Sequence, residues 1–356
     1  MTPLEDAAAP GRPKQGTAPQ GGSEAHEVAS VGAILIVKLS SLGDVIQTMP
    51  VVHDLQQAFP HARIDWVVEE AFAPLVQRVR GLRRVLPMAE RRWRKTRWNA
   101  DTRQERAAFV AELQKENYDA VIDCQGLIKS ALVARRALLA PGGFRATFGN
   151  ASELCSYEWP VRWLLDTLVP MPQRIHAVAR TRALAAGALN FTPSAVPVYA
   201  LQTQGGPSQR AVVLAHGTTR PDNEWLEACW TELGRRLVQH GLDVWLPQAG
   251  GAELALAQRL AAAIGPQASV WPKLSLAEVL DRMATSAGVV GVDSGLSHLA
   301  VALDLPHVQI FSQPRVWRAG PLGRAHQRAV GGDAAPDVDA VWHAWQQVLA
   351  AAPQTA

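Results

Sequence analysis

Four short polar segments hold residue types that do chemistry, and each follows an apolar run. Ser40-Ser41-Leu42-Gly43-Asp44 puts a carboxylate beside two hydroxyls where a helix begins. A carboxylate there takes a proton from an acceptor hydroxyl. It also suits the cap of the helix it opens, and spacing leaves both readings open. In Gln125-Gly126-Leu127-Ile128-Lys129-Ser130, Gly126 fits a tight turn, and Lys129 either reaches a cleft or lies on the surface. His216-Gly217-Thr218-Thr219-Arg220 offers two hydroxyls and a guanidinium, which hold phosphate oxygens or form a plain polar loop. Asp293-Ser294-Gly295-Leu296-Ser297-His298 opens another helix, whose first N–H groups favour anions, pyrophosphate above all. Gly295 lets a ligand approach the backbone. A capped turn with a structural histidine is the alternative there.

A fifth feature is charge. Between Arg78 and Arg106 stand eleven Lys/Arg against three acids, a net +8, densest at Arg91-Arg92-Trp93-Arg94-Lys95-Thr96-Arg97-Trp98. This suits an anionic partner such as phosphate, a sugar acid or lipid headgroups. Trp between arginines also stacks on bases, and a solvated loop is the bland reading. No His/Asp/Glu grouping has metal-ligand spacing, so no dedicated metal site is expected. A dinucleotide fingerprint needs three spaced glycines after the first strand; Ser40–Asp44 has one, which argues against a nicotinamide dehydrogenase.

The elements that must position these segments alternate. Ala33–Val37 is a continuous apolar run, as in a strand buried on both faces. A helical stripe (Val45, Met49, Val52, Leu55, Phe59) follows, then strands at Ile64–Val68 and Ala120–Asp123 and a helix from Gly126 to Leu139. Three prolines and two glycines make 192–210 a linker. Beyond it, strands Ala211–Ala215, Asp243–Leu246, Gly288–Val292 and His307–Phe311 alternate with helices Glu227–His240, Glu253–Ile264 and Ser275–Thr285. This pattern predicts an α/β fold of two facing Rossmann-like domains, 31–191 and 211–335, with a cleft at the carboxyl ends of both sheets. Residues 1–30 read as a disordered tail without the apolar core of a signal peptide. A terminal helix within 336–356, capped by Asp337, is expected to pack back on the first domain.

The 356 residues allow two domains with cores of their own. Apolar residues at 48% and charged residues at 19% fit a globular chain, and a net charge of +3 is too balanced for wholesale nucleic-acid binding. No apolar run is long enough to cross a membrane. Three scattered cysteines exclude a disulfide framework and fit a reducing compartment.

Taken together, these segments resemble the bacterial ADP-heptose:LPS heptosyltransferase family, from about Ile34 to the C-terminus. Ile34–Val45 matches the family's opening strand and loop. Asp65-Trp66-Val67-Val68-Glu69-Glu70 and Arg91–Lys95 are similar to the members that add the first heptose. Tyr118–Asp123 with Gln125–Ser130, Thr218-Thr219-Arg220 with Trp225, and Val292–Leu299 complete the order. The resemblance implies a GT-B fold, with the acceptor on the first domain and the nucleotide sugar on the second. It implies inverting transfer of L-glycero-D-manno-heptose from ADP-heptose to Kdo of Kdo-lipid A. By position Asp44 is the base. Thr218, Thr219, Arg220, Asn223, Glu253, Leu274, Asp293, Ser294, Gly295, Leu296 and His298 bind the donor, with Glu253 at the ribose and Leu274 at the adenine. Ser40, Ser41, Gly43, Arg91, Arg92, Arg94, Lys95 and Gln125 meet the acceptor. No cofactor, metal or nucleic acid is implied. The chain is expected to be a cytoplasmic monomer in transient contact with the anionic cytoplasmic face of the inner membrane.

The sequence departs from the family pattern in three places. Asn223 stands where the family has a Lys that supports the diphosphate; either Arg220 or another cation, Arg315 or Arg318, supplies the missing charge, or donor binding is weaker. Ser312-Gln313-Pro314-Arg315 replaces a Gly-Pro-Thr-Asp stretch, and Ala151-Ser152-Glu153-Leu154 lacks an acceptor-side Arg. Competing readings are a second-heptose transferase, a sugar-nucleotide epimerase on the same two-domain fold, and a non-catalytic nucleotide-sugar binder.

Overall fold

The structure, a computed structural model, describes residues 31–206 and 209–352. The tail expected at 1–30 lies outside the described residues, as do Pro207 and Ser208 of the linker. The first half contains β1 (Ala33–Val37), α1 (Leu42–Thr48), α2 (Pro50–Ala58), β2 (Arg63–Glu69), α3 (Ala73–Val76), β3 (Leu82–Met88), α4 (Glu90–Lys95) and α5 (Ala100–Leu113). It continues with β4 (Asn117–Asp123), α6 (Ile128–Arg136), β5 (Leu138–Phe148), a 3-10 turn at Trp159–Trp163, β6 (Thr167–Val169) and α7 (Ala177–Leu189). The second half contains β7 (Ala211–Ala215), α8 (Glu227–Gln239), β8 (Asp243–Leu246), α9 (Gly251–Ile264), β9 (Ala268–Val270) and α10 (Leu276–Ala284). Then come β10 (Gly288–Val292), α11 (Gly295–Ala302), β11 (His307–Phe311), α12 (Val316–Ala319), β12 (Gln327–Gly331) and α13 (Val338–Ala350).

Each half builds a parallel six-stranded sheet, ordered β3-β2-β1-β4-β5-β6 and β9-β8-β7-β10-β11-β12. The two orders are the same, so each sheet reverses direction of winding at one place, between β1 and β4 and between β7 and β10. Ligands of such sheets bind outside the strand ends at that switch point. β1, β7 and β10 are buried at every residue, as their continuous apolar runs require. One apolar core cluster joins the halves, running from Val45 and Met49 of α1 and its C-cap to Leu280, Met283, Leu299 and Ala300 of α10 and α11. This is the expected pair of facing Rossmann-like domains.

Some local expectations are corrected. The stripe Val45–Phe59 is two helices: Pro50, which lacks an N–H, opens α2 immediately after Met49. The helix drawn to Leu139 stops at Arg136, because Ala137 is extended and Arg145 of β5 donates to the carbonyls of Ala134 and Ala137. The terminal helix α13 does not pack on the first half. Its buried stripe of Val341, Ala344, Trp345 and Val348 joins Val290, Val308 and Ile310 of the second sheet, filling the face beside α8.

Candidate functional site

The two switch points bring the four sequence segments together. α1 follows β1 and α6 follows β4, while the His216–Arg220 loop follows β7 and α11 follows β10. The N-termini of α1 and α11 meet at close range. A Cβ on Gly43 would sit 2.6 Å from His298 Cδ2, and one on Gly295 would sit 2.6 Å from Leu42 Cδ2. Only glycine at both positions allows this approach.

Asp44 both caps and faces the cleft. Its Oδ2 accepts from the Ser41 N–H at 3.1 Å and the Ser41 hydroxyl at 2.8 Å. Its Oδ1 lies 3.7 Å from Arg318 Nη2. Burial alone would raise its pKa, but the Lys38 and Arg318 charges and the Ser41 hydrogen bonds outweigh it and hold the carboxyl below its ordinary value. Lys38, Gln47, Gln125, Arg180 and Arg318 line a small polar cavity with it. Lys38 is buried and donates from Nζ to the Cys124 carbonyl at 3.0 Å. Gln125 Oε1 accepts from the backbone of Leu39 and Ser40, tying the β4 end to the Asp44 loop.

Arg180 of α7 is the residue that sequence reasoning missed. Its guanidinium lies 3.5 Å from the Phe148 ring centroid, and Nε and Nη2 are buried without a partner. Burial lowers its pKa. The available signal was two arginines, Arg180 and Arg182, in an otherwise small and apolar helix. Arg182 instead forms a buried pair with Asp54, at 2.6 and 2.9 Å.

On the other side, Asp293 is held by three neighbours. Gln309 Nε2 donates to Oδ1 at 3.2 Å, His298 Nε2 lies 3.4 Å from Oδ1, and Asn223 Nδ2 donates to the main-chain carbonyl at 3.0 Å. Burial would raise the Asp293 pKa; His298, Arg318 and Arg315 more than offset it. Asn223 is itself buried, so at the position where the family resemblance expects a cation this side chain supports Asp293. Arg220 is held by Asp222 at 3.0 and 3.1 Å, and Asp222 also takes Arg315 at 3.1 Å. Ser294 Oγ, Arg315 Nη1 and Arg318 Nε are buried with no partner. Unpaired buried donors, one of them the N-cap hydroxyl of α11, suit an anion.

The remaining positions spread outward. Thr218 Oγ1 accepts from the Arg220 N–H, and Thr219 is exposed. Glu253 lies against Gly217, where a Cβ would collide with its carboxylate. Its Oε2 accepts from the Ala249 N–H at 2.8 Å, and burial raises its pKa. Leu274 and Leu296 pack partly buried on the core that contains Trp271.

The basic segment is less free than its charge tally suggests. Arg83 and Arg84 grip the buried Asp65 together with Tyr118, and Arg78 pairs with Asp281 of α10 at 2.7 Å. Arg92 is held between Glu70 and Glu105, and the Arg91 guanidinium lies over Phe72. Arg94 and Lys95 are exposed. α4 follows β3, which lies two strands, roughly 10 Å, from β1, the strand that leads into the helix of Asp44. Among the described residues no group of three or more His, Cys, Asp or Glu is placed to hold a metal ion, and no helix is long and apolar enough to cross a membrane.

Comparison with known proteins agrees with this geometry. The family model for glycosyltransferase family 9 (heptosyltransferase) matches residues 106–339. Lipopolysaccharide heptosyltransferase 1 of Pseudomonas aeruginosa is 39% identical over 301 residues, covering 82% of each chain. The structure of E. coli heptosyltransferase WaaC with ADP superposes with a TM-score of 0.78 at 35% identity, covering 90% of this chain and 100% of that one. The same enzyme with ADP-2-deoxy-2-fluoro heptose gives 0.74 at 36% identity, covering 87% and 98%.

Proposed function

The chain belongs to glycosyltransferase family 9, the heptosyltransferase family, and from that premise we propose how its site works and on what. The donor is ADP-heptose, carrying L-glycero-D-manno-heptose, and the acceptor is a Kdo sugar of Kdo-lipid A. The product carries the first heptose of the lipopolysaccharide inner core. The reaction inverts the anomeric carbon. The observation that carries this reading is Arg318, which reaches Asp44 on one side and Asp293 on the other, with buried donors of Ser294, Arg315 and Arg318 left unpaired.

As the acceptor hydroxyl attacks the anomeric carbon, its proton passes to Asp44. The bond from that carbon to the phosphate oxygen breaks on the opposite face, and ADP leaves with the electron pair. The charge that grows on the diphosphate meets Ser294 Oγ, the first N–H groups of α11, and the two arginines. Arg315 and Arg318 thus take over the duty of the lysine replaced by Asn223. Thr218 and Thr219 lie beside the diphosphate, Asp293 and His298 beside the heptose, Glu253 at the ribose and Leu274 at the adenine. Lys38 and Arg180 face the acceptor side, where the Kdo carboxylate pairs with them. Arg94 and Lys95 reach its more distant phosphates. The reading requires no dedicated metal and no second subunit, and it places the enzyme at the cytoplasmic face of the inner membrane.

The assignment is tested by offering ADP-heptose with Kdo-lipid A and, separately, with the same acceptor already carrying one heptose. A gain of one heptose on the first alone is expected. A gain only on the second would make this a second-heptose enzyme, and conversion of ADP-heptose without acceptor would make it an epimerase.

A further inference from the structure

α6 and the Trp159–Trp163 turn form part of the outer layer of the first sheet, packing through Ala131, Ala134 and Val161. Their opposite faces carry a cluster of exposed apolar side chains. Trp159 and Trp163 are 58% and 69% exposed and stand edge to face at 4.4 Å. Ile128 and Leu132, 38% and 42% exposed, lie one helical turn apart on α6. The two elements are fastened together: the Ile128 N–H donates to Glu158 Oε2 at 2.6 Å, and Arg135 Nη1 donates to the Leu164 carbonyl at 3.0 Å. The chain buries Trp66, Trp230, Trp271 and Trp345 almost completely; Trp98 of the basic segment is also exposed, but among the described residues no second indole stacks against it.

The charge around the cluster is mainly positive; its acids are Glu158, which takes the Ile128 N–H, and Asp166, which pairs with Arg145 at 3.6 Å. Residues 128–138 hold Lys129, Arg135 and Arg136 with no acid, and residues 159–165 hold Arg162 with no acid. Indoles beside a surplus of cations suit a bilayer surface, where the ring sits at headgroup depth and the cations meet anionic lipid. The patch is also continuous with the site. Lys129 Nζ lies 3.5 Å from Ser40 Oγ, four residues before the base.

We propose that this face, Ile128, Leu132, Trp159 and Trp163 with Lys129, Arg135 and Arg162, docks the protein on an anionic bilayer beside the acceptor site. The inference rests on the reading that the acceptor is lipid-linked. It gives the acceptor sugar a route to Asp44 while its acyl chains stay in the membrane.

The full chain is tested by flotation with vesicles of phosphatidylethanolamine and phosphatidylglycerol, against phosphatidylcholine alone. Flotation with the anionic vesicles, weakening with salt, is expected. Trp159→Ser with Trp163→Ser is expected to bind them about tenfold or more weakly, and Arg162→Ser less so. The double variant keeps its turnover on a deacylated, water-soluble acceptor and loses about tenfold or more on acceptor held in vesicles, by the same arithmetic. Undiminished flotation of the double variant overturns the proposal. So does an equal loss on both acceptors, or a concentration-dependent dimer of the parent that the double variant abolishes without any vesicle binding. Flotation does not depend on turnover. A parent that floats but transfers to neither acceptor therefore counts against the function and not against the docking face.

Discussion

At the scale of single residues, the account turns on one carboxylate and the cations around it. Asp44→Asn is expected to fold and bind ADP while turnover falls about 10²- to 10⁴-fold, the usual contribution of a general base; single-turnover kinetics check it, and retained turnover would remove Asp44 from the role. Lys38 and Arg318 hold its pKa down, so Asp44 is a carboxylate throughout the neutral range. Removing one of those cations raises the pKa, so in Arg318→Ala the acid limb of kcat/KM should move to higher pH. Arg315→Ala should raise KM for ADP-heptose with little change in acceptor KM, and an unchanged donor KM would contradict its place at the diphosphate. The polar segments themselves were legible because each sits in an unbroken run of neighbours. What surrounds them was not. Arg180 and Arg318 reach the Asp44 cavity from helices far along the chain, and no local pattern marks an arginine such as Arg180 that is buried with its Nε and Nη2 unpaired. The basic tally misled for the same reason, since Asp65, Glu112 and Glu116 neutralise Arg83 and Arg84 from other elements.

At the scale of elements, the site depends on how closely α1 and α11 approach. Gly43→Ala would place a methyl 2.6 Å from the His298 ring, in a buried seam with Gln47 and Asp293 on its far sides. The helices must part by a fraction of an ångström, and kcat/KM should fall about tenfold to a hundredfold because base and donor no longer align. Wild-type kinetics in that variant would show that the seam has slack. The buried Asp54–Arg182 pair, with Ser194 hydroxyl on Asp54 at 2.8 Å, fastens α2 to α7 and to the linker. Asp54→Ala leaves Arg182 unpaired and should cost about 3–5 kcal/mol of stability by urea titration. Buried strands such as β1, β7 and β10 were readable from their apolar runs. α5 was not, because only Thr102 and Leu113 of its residues are buried and no stripe marks it. The division of α1 from α2 was written in Pro50 but hidden by a stripe that continues through it.

At the scale of the whole molecule, two sheets of the same strand order face each other across a shared core, and buried histidines tune how that assembly responds to acid. Burial lowers His176, His216 and His307 from the ordinary 6.5 to about 4. Between those values the unfolded chain binds protons that the folded one does not, so stability is full above about 6.5 and falls as pH drops toward about 4. Thermal melts across that range should show Tm falling steadily, with a smaller slope in His307→Gln; a flat Tm would mean these rings protonate freely in the folded state. The two-domain layout was legible because its two halves repeat one alternation. The seat of α13 was not, since an amphipathic stripe shows that a helix packs but not on which face. The central claim, heptose transfer to Kdo-lipid A with Asp44 as base, is tested most directly by mass spectrometry of the acceptor after incubation with ADP-heptose. The account predicts a gain of one heptose with the parent protein and none with Asp44→Ala, while both bind ADP. No gain with the parent, or an equal gain with the variant, would contradict it.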